Sequence, residues 1–326
     1  MAKVLVCGAG GFIGGHLVAA LQRRGADVRA VDIKPLAEWF QTCADAENLQ
    51  MDLRDPGACL RAVEGCENVY NLAADMGGMG FIENHKALCM LSVLINTHLL
   101  LAARQHAVRR FFYASSACVY KADRQDQPDL PPLHEDDAYP AMPEDGYGWE
   151  KLFSERMCRH FQEDFGLQTR VARFHNVYGS HGAFDGGREK APAAICRKVI
   201  QAKLSGDHSI EIWGDGQQTR SFTYIDDCLH GIGLFMGADT LPGPLNLGSA
   251  EKVSINQLVE IVESLAGIRL QRRYNTTAPR GVSGRCSDNS RIRSLFDWEP
   301  STPLVRGMAA TYAWIEAEIR AGRSVR

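Results

Sequence analysis

Val4-Leu5-Val6-Cys7-Gly8-Ala9-Gly10-Gly11-Phe12-Ile13-Gly14 decides the fold, because an apolar strand passes through a glycine turn straight into a helix. Where Gly8, Gly11 and Gly14 carry no Cβ, backbone N–H groups and the helix N-terminus can approach a pyrophosphate. Phe12 and Ile13 open that helix and join the three glycines as expected cofactor contacts. Along residues 12–24, Ile13, Leu17 and Leu21 share one face, and Gly25 is a stop signal. Strand, turn and amphipathic helix in that order predict the first crossover of a parallel sheet.

The same alternation continues outward. Apolar runs at residues 28–31, 69–74, 111–115 and 169–174 alternate with segments of helical periodicity. The expected fold is α/β, a Rossmann doubly wound parallel sheet with a smaller C-terminal α/β substrate lobe. Residues 1–178, completed by about 221–250 and the C-terminal helix, are expected to form the Rossmann domain, and residues 179–220 and 251–295 the lobe. Five prolines between Ala122 and Gly146 predict a long surface loop there.

Bulk properties narrow the function. The 326 residues carry a formal charge of -3 and 45% hydrophobic side chains, enough for a large core and without the basic footprint of a nucleic-acid binder. No apolar run reaches the roughly 18 residues of a membrane span, and the first residues enter a strand directly, so the expected location is cytoplasmic. Ten dispersed cysteines without a C-x-x-C pair predict reduced thiols and no metal site.

The second strand ends at Asp32, about 20 residues past the turn, where a carboxylate can accept ribose hydroxyls and repel a 2′-phosphate. This favours NAD over NADP, tempered by the nearby Lys34. Asp52 is read two ways, as an adenine contact or as a helix cap. Further on, Tyr147 and Lys151 stand four apart at the start of a helix predicted over residues 147–165, so their side chains share a face. A nearby ammonium favours the phenolate, which can take a hydroxyl proton. Ser115 and Ser116 end a strand at the sheet edge where ligands bind, and a hydroxyl there can hold the reacting oxygen.

The glycine loop, Ser116 and Tyr147-x-x-x-Lys151, in this order, resemble the extended short-chain dehydrogenase/reductase family of NAD-dependent epimerases and dehydratases. The resemblance covers essentially the whole chain. It implies bound NAD touching Tyr147 and Lys151 as well as the loop, a lobe gripping a nucleotide sugar, and a homodimer built on paired helices. It also implies nucleotide contacts at Asn176, Arg285 and Asp288.

What separates branches of that family is the residue two beyond the serine, here Cys118. A thiol beside a cation can act as a base and return the proton, although a small buried hydrophobe is the plainer meaning of an arbitrary cysteine. The string Gly186-Gly187-Arg188-Glu189-Lys190-Ala191-Pro192 can project Lys190 into a cleft, or simply be a charged helix start. Together with residues 73–81 and 213–223, these elements resemble the branch that inverts C3 and C5 of a GDP-hexose. That resemblance implies Cys118 and Lys190 as an acid/base pair, and Ser116, Ala117 and Gly77 as groups on the sugar. It further implies Glu189 and Ala191 lining the sugar pocket, and Lys198, Gln218, Thr219 and Arg220 on the diphosphate. The alternatives are a 4-epimerase or 4,6-dehydratase of another nucleotide sugar, and a non-catalytic NAD-binding regulatory protein.

Overall fold

In the computed structural model, which describes residues 3–279 and 281–323, β1 (Lys3–Cys7), β2 (Asp27–Asp32), β3 (Glu47–Gln50), β4 (Cys66–Asn71), β5 (Arg110–Ser116) and β6 (Gln168–Phe174) form one sheet with a seventh strand, Leu245–Leu247. The spatial order is Leu245–Leu247, β6, β5, β4, β1, β2, β3, and every pairing is parallel. Alternate side chains of each strand enter different cores, as the two-residue strand period requires. Val4, Val6, Val28 and Phe112 face α1 (Phe12–Arg23) and the helix Ile225–Gly237. Leu5, Cys7, Val31, Phe111 and Tyr113 face α2 (Pro56–Val63), α4 (Lys86–Gln105) and α5 (Tyr147–Phe165), with the short α3 (Met79–Asn84) leading into α4. Since β2 and β4 flank β1 on opposite sides, successive connections diverge above the C-terminal strand ends and leave a crevice there.

Two strands depart from the sequence expectation. Glu47-Asn48-Leu49-Gln50 sits at the sheet edge with one apolar side chain, and Leu245–Leu247 is only three residues long, so neither shows a strand-length apolar pattern. Residues 72–74, expected as strand, have already left the sheet toward the crevice.

The lobe boundaries are corrected in two places. The C-terminal helix Leu304–Arg320 does not complete the Rossmann domain. Its stripe Leu304, Met308, Tyr312 and Ile315 is buried against α6 (Ala191–Ser205) and the helix Ile255–Ala266, in the core of the lobe. Conversely, residues 290–295 are expected in the lobe, but the helix Ser290–Phe296 packs Ile292 and Phe296 on the Rossmann side, with the Phe235 and Phe296 rings stacked 5.7 Å apart. One helix, α4, is long and apolar enough to cross a membrane by length and average composition, although Ser92, Asn96, Thr97 and His98 interrupt its apolar run. It packs between α2 and α5 on the sheet through Leu99, Leu100, Ala102 and Ala103, while Leu88, Met90, Leu91, Leu94 and Leu101 stay exposed.

Candidate active site

The glycine turn is locked from beneath. Gly8 and Ala9 donate to the Val31 carbonyl at 2.8 and 3.1 Å, and Gly10 donates to Asp32 Oδ2 at 3.0 Å. Gly8 adopts φ +79°, and a Cβ on Gly14 would lie 2.0 Å from the Gly8 carbonyl oxygen, so helix and turn touch through missing side chains. Gly11 caps α1 without a side-chain hydrogen bond. The first N–H groups of the helix therefore face the crevice as an anion cradle of the kind a dinucleotide diphosphate fills.

Asp32 is buried and takes the Lys34 N–H on its other oxygen, while the Lys34 ammonium rests 4.8 Å from the centre of the Phe40 ring. Asp52 lines the rim of the same cavity, chelated by Arg54 at 2.7 to 3.1 Å. The helix cap that Asp52 might have been is Asp55, which accepts the Gly57 and Ala58 N–H groups. Gly14→Ala is expected to lose dinucleotide binding and about 1–3 kcal/mol of stability by forcing turn and helix apart. Melting with and without NAD checks this, and an NAD-induced shift equal to the wild type would contradict it.

From the turn, a cavity of about 1170 Å³ runs past Ser116, Tyr147 and Lys151 to Lys190, Lys198, Trp213 and Gln218. Among the sequence-predicted site residues Thr219 and Asp288 do not line it, and the Thr219 hydroxyl instead donates to the Pro128 carbonyl at 2.5 Å. Tyr147 reaches the centre because α5 begins hard against the turn after β5. A Cβ on Gly148 would sit 2.4 Å from the Cys118 carbonyl oxygen. Burial pushes the Tyr147 phenol well up, Cys118 and Glu150 add to it, and a hydrogen bond with Ser116 opposes them. Without a further positive charge, Tyr147 keeps its proton. The Lys151 ammonium lies 5.4 Å from the Tyr147 ring centre, 4.8 Å from that of Tyr113 and 3.5 Å from Glu150 Oε2. Glu150 is held in turn by the hydroxyls of Tyr113 and Ser154, each at 3.0 Å.

Cys118 follows Ser116 on a single helical turn, with the Cys118 N–H on Ser116 Oγ at 3.2 Å. Its thiol differs from the expectation of a cation-activated base. Arg285 Nη1 does stand 3.6 Å from Sγ, but burial dominates and Glu144 reinforces it, so the thiol is pushed up despite Arg285 and Ser116. Lys190, at the N-cap of α6, is driven the other way, since burial lowers its ammonium while Cys118 pulls it back up. The two groups thus lie within electrostatic reach of each other, a thiol poised to give a proton and an amine drawn toward neutrality.

Lys190 is aimed by a clasp between two loops. Gly78 N–H donates to the Arg188 carbonyl at 3.0 Å, and a Cβ there would fall 2.3 Å from the Glu189 carbonyl oxygen. The Arg188 guanidinium covers Phe81 at 3.8 Å and pairs with Asp75 at 2.8 Å, while Asp75 N–H reaches Ser92 Oγ at 2.9 Å. A Cβ on Gly77 would meet Phe81 at 2.8 Å. Glu189 is occupied by Arg197 and the Gly187 N–H, with Ala191 following at the first turn of α6.

Further along, Lys198 donates to the Glu211 carbonyl at 2.8 Å beside the exposed Trp213, and its ammonium is lowered by burial. Burial lowers Arg220 to about 10. Gln218 leaves a buried Oε1 without a protein partner on the cavity wall, an acceptor available to a ligand donor. Asn176, at φ +44°, is tied to the Ser221 carbonyl at 3.0 Å, and Asp288 instead accepts the Ser290 N–H at 2.9 Å, outside the cavity. The sequence reasoning missed Glu144, Glu150 and Arg188. Glu150 and Arg188 stood inside quoted motifs, whereas Glu144 carries no local signal.

The model of the NAD dependent epimerase/dehydratase family matches residues 4–248. GDP-mannose 3,5-epimerase of Arabidopsis thaliana is 44% identical over 318 residues, covering 97% of this chain and 83% of its own. MoeE5 in complex with UDP-glucuronic acid and NAD superposes with a TM-score of 0.80 at 29% identity, over 97% of this chain and 100% of that one. UDP-glucose 4-epimerase of Thermotoga maritima, at 22% identity, shares the fold with a TM-score of 0.87 over 97% and 99% of the two chains.

Proposed function

The chain belongs to the NAD dependent epimerase/dehydratase family, and on that premise we propose that it inverts C3 and C5 of a GDP-hexose, converting GDP-mannose to GDP-L-galactose. Inversion at C5 alone would yield GDP-L-gulose. The observation that carries this reading is the presence of Cys118 and Lys190 in the same cavity as Ser116, Tyr147 and Lys151. A C4 oxidation alone needs only the latter three.

The glycine cradle fits NAD, and Gly8, Gly11, Phe12, Ile13, Gly14 and Asp32 would hold its adenosine half, with Tyr147 and Lys151 toward its other end. When bound, it supplies the two-electron oxidant, and then reductant, for C4. Tyr147 takes the proton of the 4-hydroxyl, with Ser116 orienting that oxygen and Lys151 favouring the phenolate. The resulting C4 ketone acidifies the hydrogens on C3 and C5. Cys118 and Lys190 then exchange those protons, one group giving while the other takes. Tyr147 finally returns its proton to O4, so the net change is stereochemical. Incubation of the NAD-loaded protein with GDP-mannose tests this. The expected products are GDP-L-galactose and GDP-L-gulose, and a 4-epimer or a 4-keto-6-deoxy sugar would overturn the proposal.

The functional unit is a homodimer. Met90, Leu94 and Leu101 on α4 and Trp149 and Phe153 on α5 are exposed apolar side chains on neighbouring helices, a patch a second copy would cover. Phe153→Glu is expected to turn a dimer into a monomer in light scattering, and a wild-type monomer at micromolar concentration would contradict the assignment. Ten cysteines held as thiols fit a reducing, cytoplasmic setting.

A further inference from the structure

Glu144 has no place in the proton transfers above, yet it stands against the reacting thiol. Its backbone N–H donates to the Cys118 carbonyl at 3.0 Å, and its carboxylate takes the Arg285 guanidinium. That guanidinium is shared three ways, with Nε on Gln125 Oε1 at 2.7 Å, Nη1 on Cys118 Sγ at 3.6 Å and Nη2 on Glu144. All three partners are buried or nearly so, and Glu144 and Cys118 both line the cavity.

We propose that Glu144 is a positioning residue that neutralises Arg285 beside Sγ and so holds Cys118 as its thiol, the proton-donating member of the Cys118–Lys190 pair. This rests on the C3 and C5 chemistry proposed above for its purpose, but not for its physics. An unpaired guanidinium at this distance would favour the thiolate, and a carboxylate on its far side cancels that field. The other charged or titratable groups around Cys118 are Lys190 and Arg220 from the lobe, Tyr147 from α5 and the buried Cys89 thiol from α4. Arg220 is a cation and Lys190 becomes one when it takes a proton, so Glu144 is the negative charge that opposes them. Burial and Glu144 act in the same direction on the thiol, against Arg285 and Ser116.

The test needs no sugar. In the NAD-loaded protein, the rate of iodoacetamide alkylation of Cys118 is followed against pH by mass spectrometry of its peptide. Glu144→Gln is expected to move the midpoint of that profile down by about one pH unit. Arg285→Gln should move it up, and Glu144→Asp should stay near the wild type. A pocket merely loosened by mutation would expose the thiol in both Gln variants and shift them alike. Equal midpoints in Glu144→Gln and wild type, or shifts of the same sign in the two Gln variants, would overturn the proposal. If Glu144→Gln does not fold, the sign of the Arg285→Gln shift decides. Opposite shifts in a protein that epimerises no nucleotide sugar would refute the assigned reaction and leave the role of Glu144 intact.

Discussion

Cys118→Ala is expected to lower solvent-deuterium incorporation at C3 and C5 of GDP-mannose by about 10²- to 10⁴-fold while leaving NAD binding unchanged. The thiol is the cavity group beside Lys190 that can give a proton, and Lys190 cannot take and give on opposite sides of one carbon by itself. The substitution is structurally mild. Arg285 keeps Glu144 and Gln125, and Ser116 Oγ still accepts a backbone N–H, because the Cys118 contact there is made by the main chain. Loss of one sulfur from the small cluster of Phe81, Ile82, Cys89 and Tyr147 should cost about 1 kcal/mol. Exchange within tenfold of the wild type would show that Cys118 is packing and not chemistry, and unfolding would show that it is only packing.

Tyr147→Phe should lower kcat by about 10²- to 10⁴-fold with little change in KM. Only the hydroxyl is removed, and the phenyl ring keeps the buried position between Cys118 and the start of α5. The pH dependence has a definite sign. Burial holds the phenol well above its ordinary value, so near neutrality the base form is the minor one and its population grows with pH. In the wild type kcat/KM therefore rises with pH through the neutral range, and this rise should vanish from the residual activity of Tyr147→Phe. A variant that retains more than a tenth of wild-type kcat would contradict the proton-transfer role.

How much of this was legible in the sequence follows from how local each constraint is. The glycine turn is a contact between residues six apart, Gly8 and Gly14, and a run of seven residues displays it whole. The helix Tyr147–Phe165 likewise announces itself, with Gly146 and Gly166 at its two ends. The strand Leu245–Leu247 is too short to show a period, and β3 is a polar edge. The amphipathic stripe of Leu304–Arg320 was visible, but nothing in it says which of two cores it fills.

The site divides in the same way. Residue types and spacing placed Tyr147 and Lys151, and family resemblance supplied the roles of Cys118 and Lys190 and the lobe contacts. Thr219 and Asp288 fall outside the cavity, Thr219 because its hydroxyl is drawn to the Pro-rich loop at Pro128 and Asp288 because it accepts the Ser290 N–H. What no local pattern could show is the protonation of the thiol. It depends on burial and on Arg285 and Glu144, which are 141 residues apart in sequence and meet only when the lobe closes on the loop before α5.

The central claim is that a transient C4 oxidation makes both neighbouring stereocentres exchangeable. Incubating the NAD-loaded protein with GDP-mannose in heavy water, followed by NMR of the recovered hexose, tests it most directly. Deuterium at C3 and at C5, with the C4 hydrogen retained, is the predicted result. Turnover with protium at both C3 and C5 would contradict it.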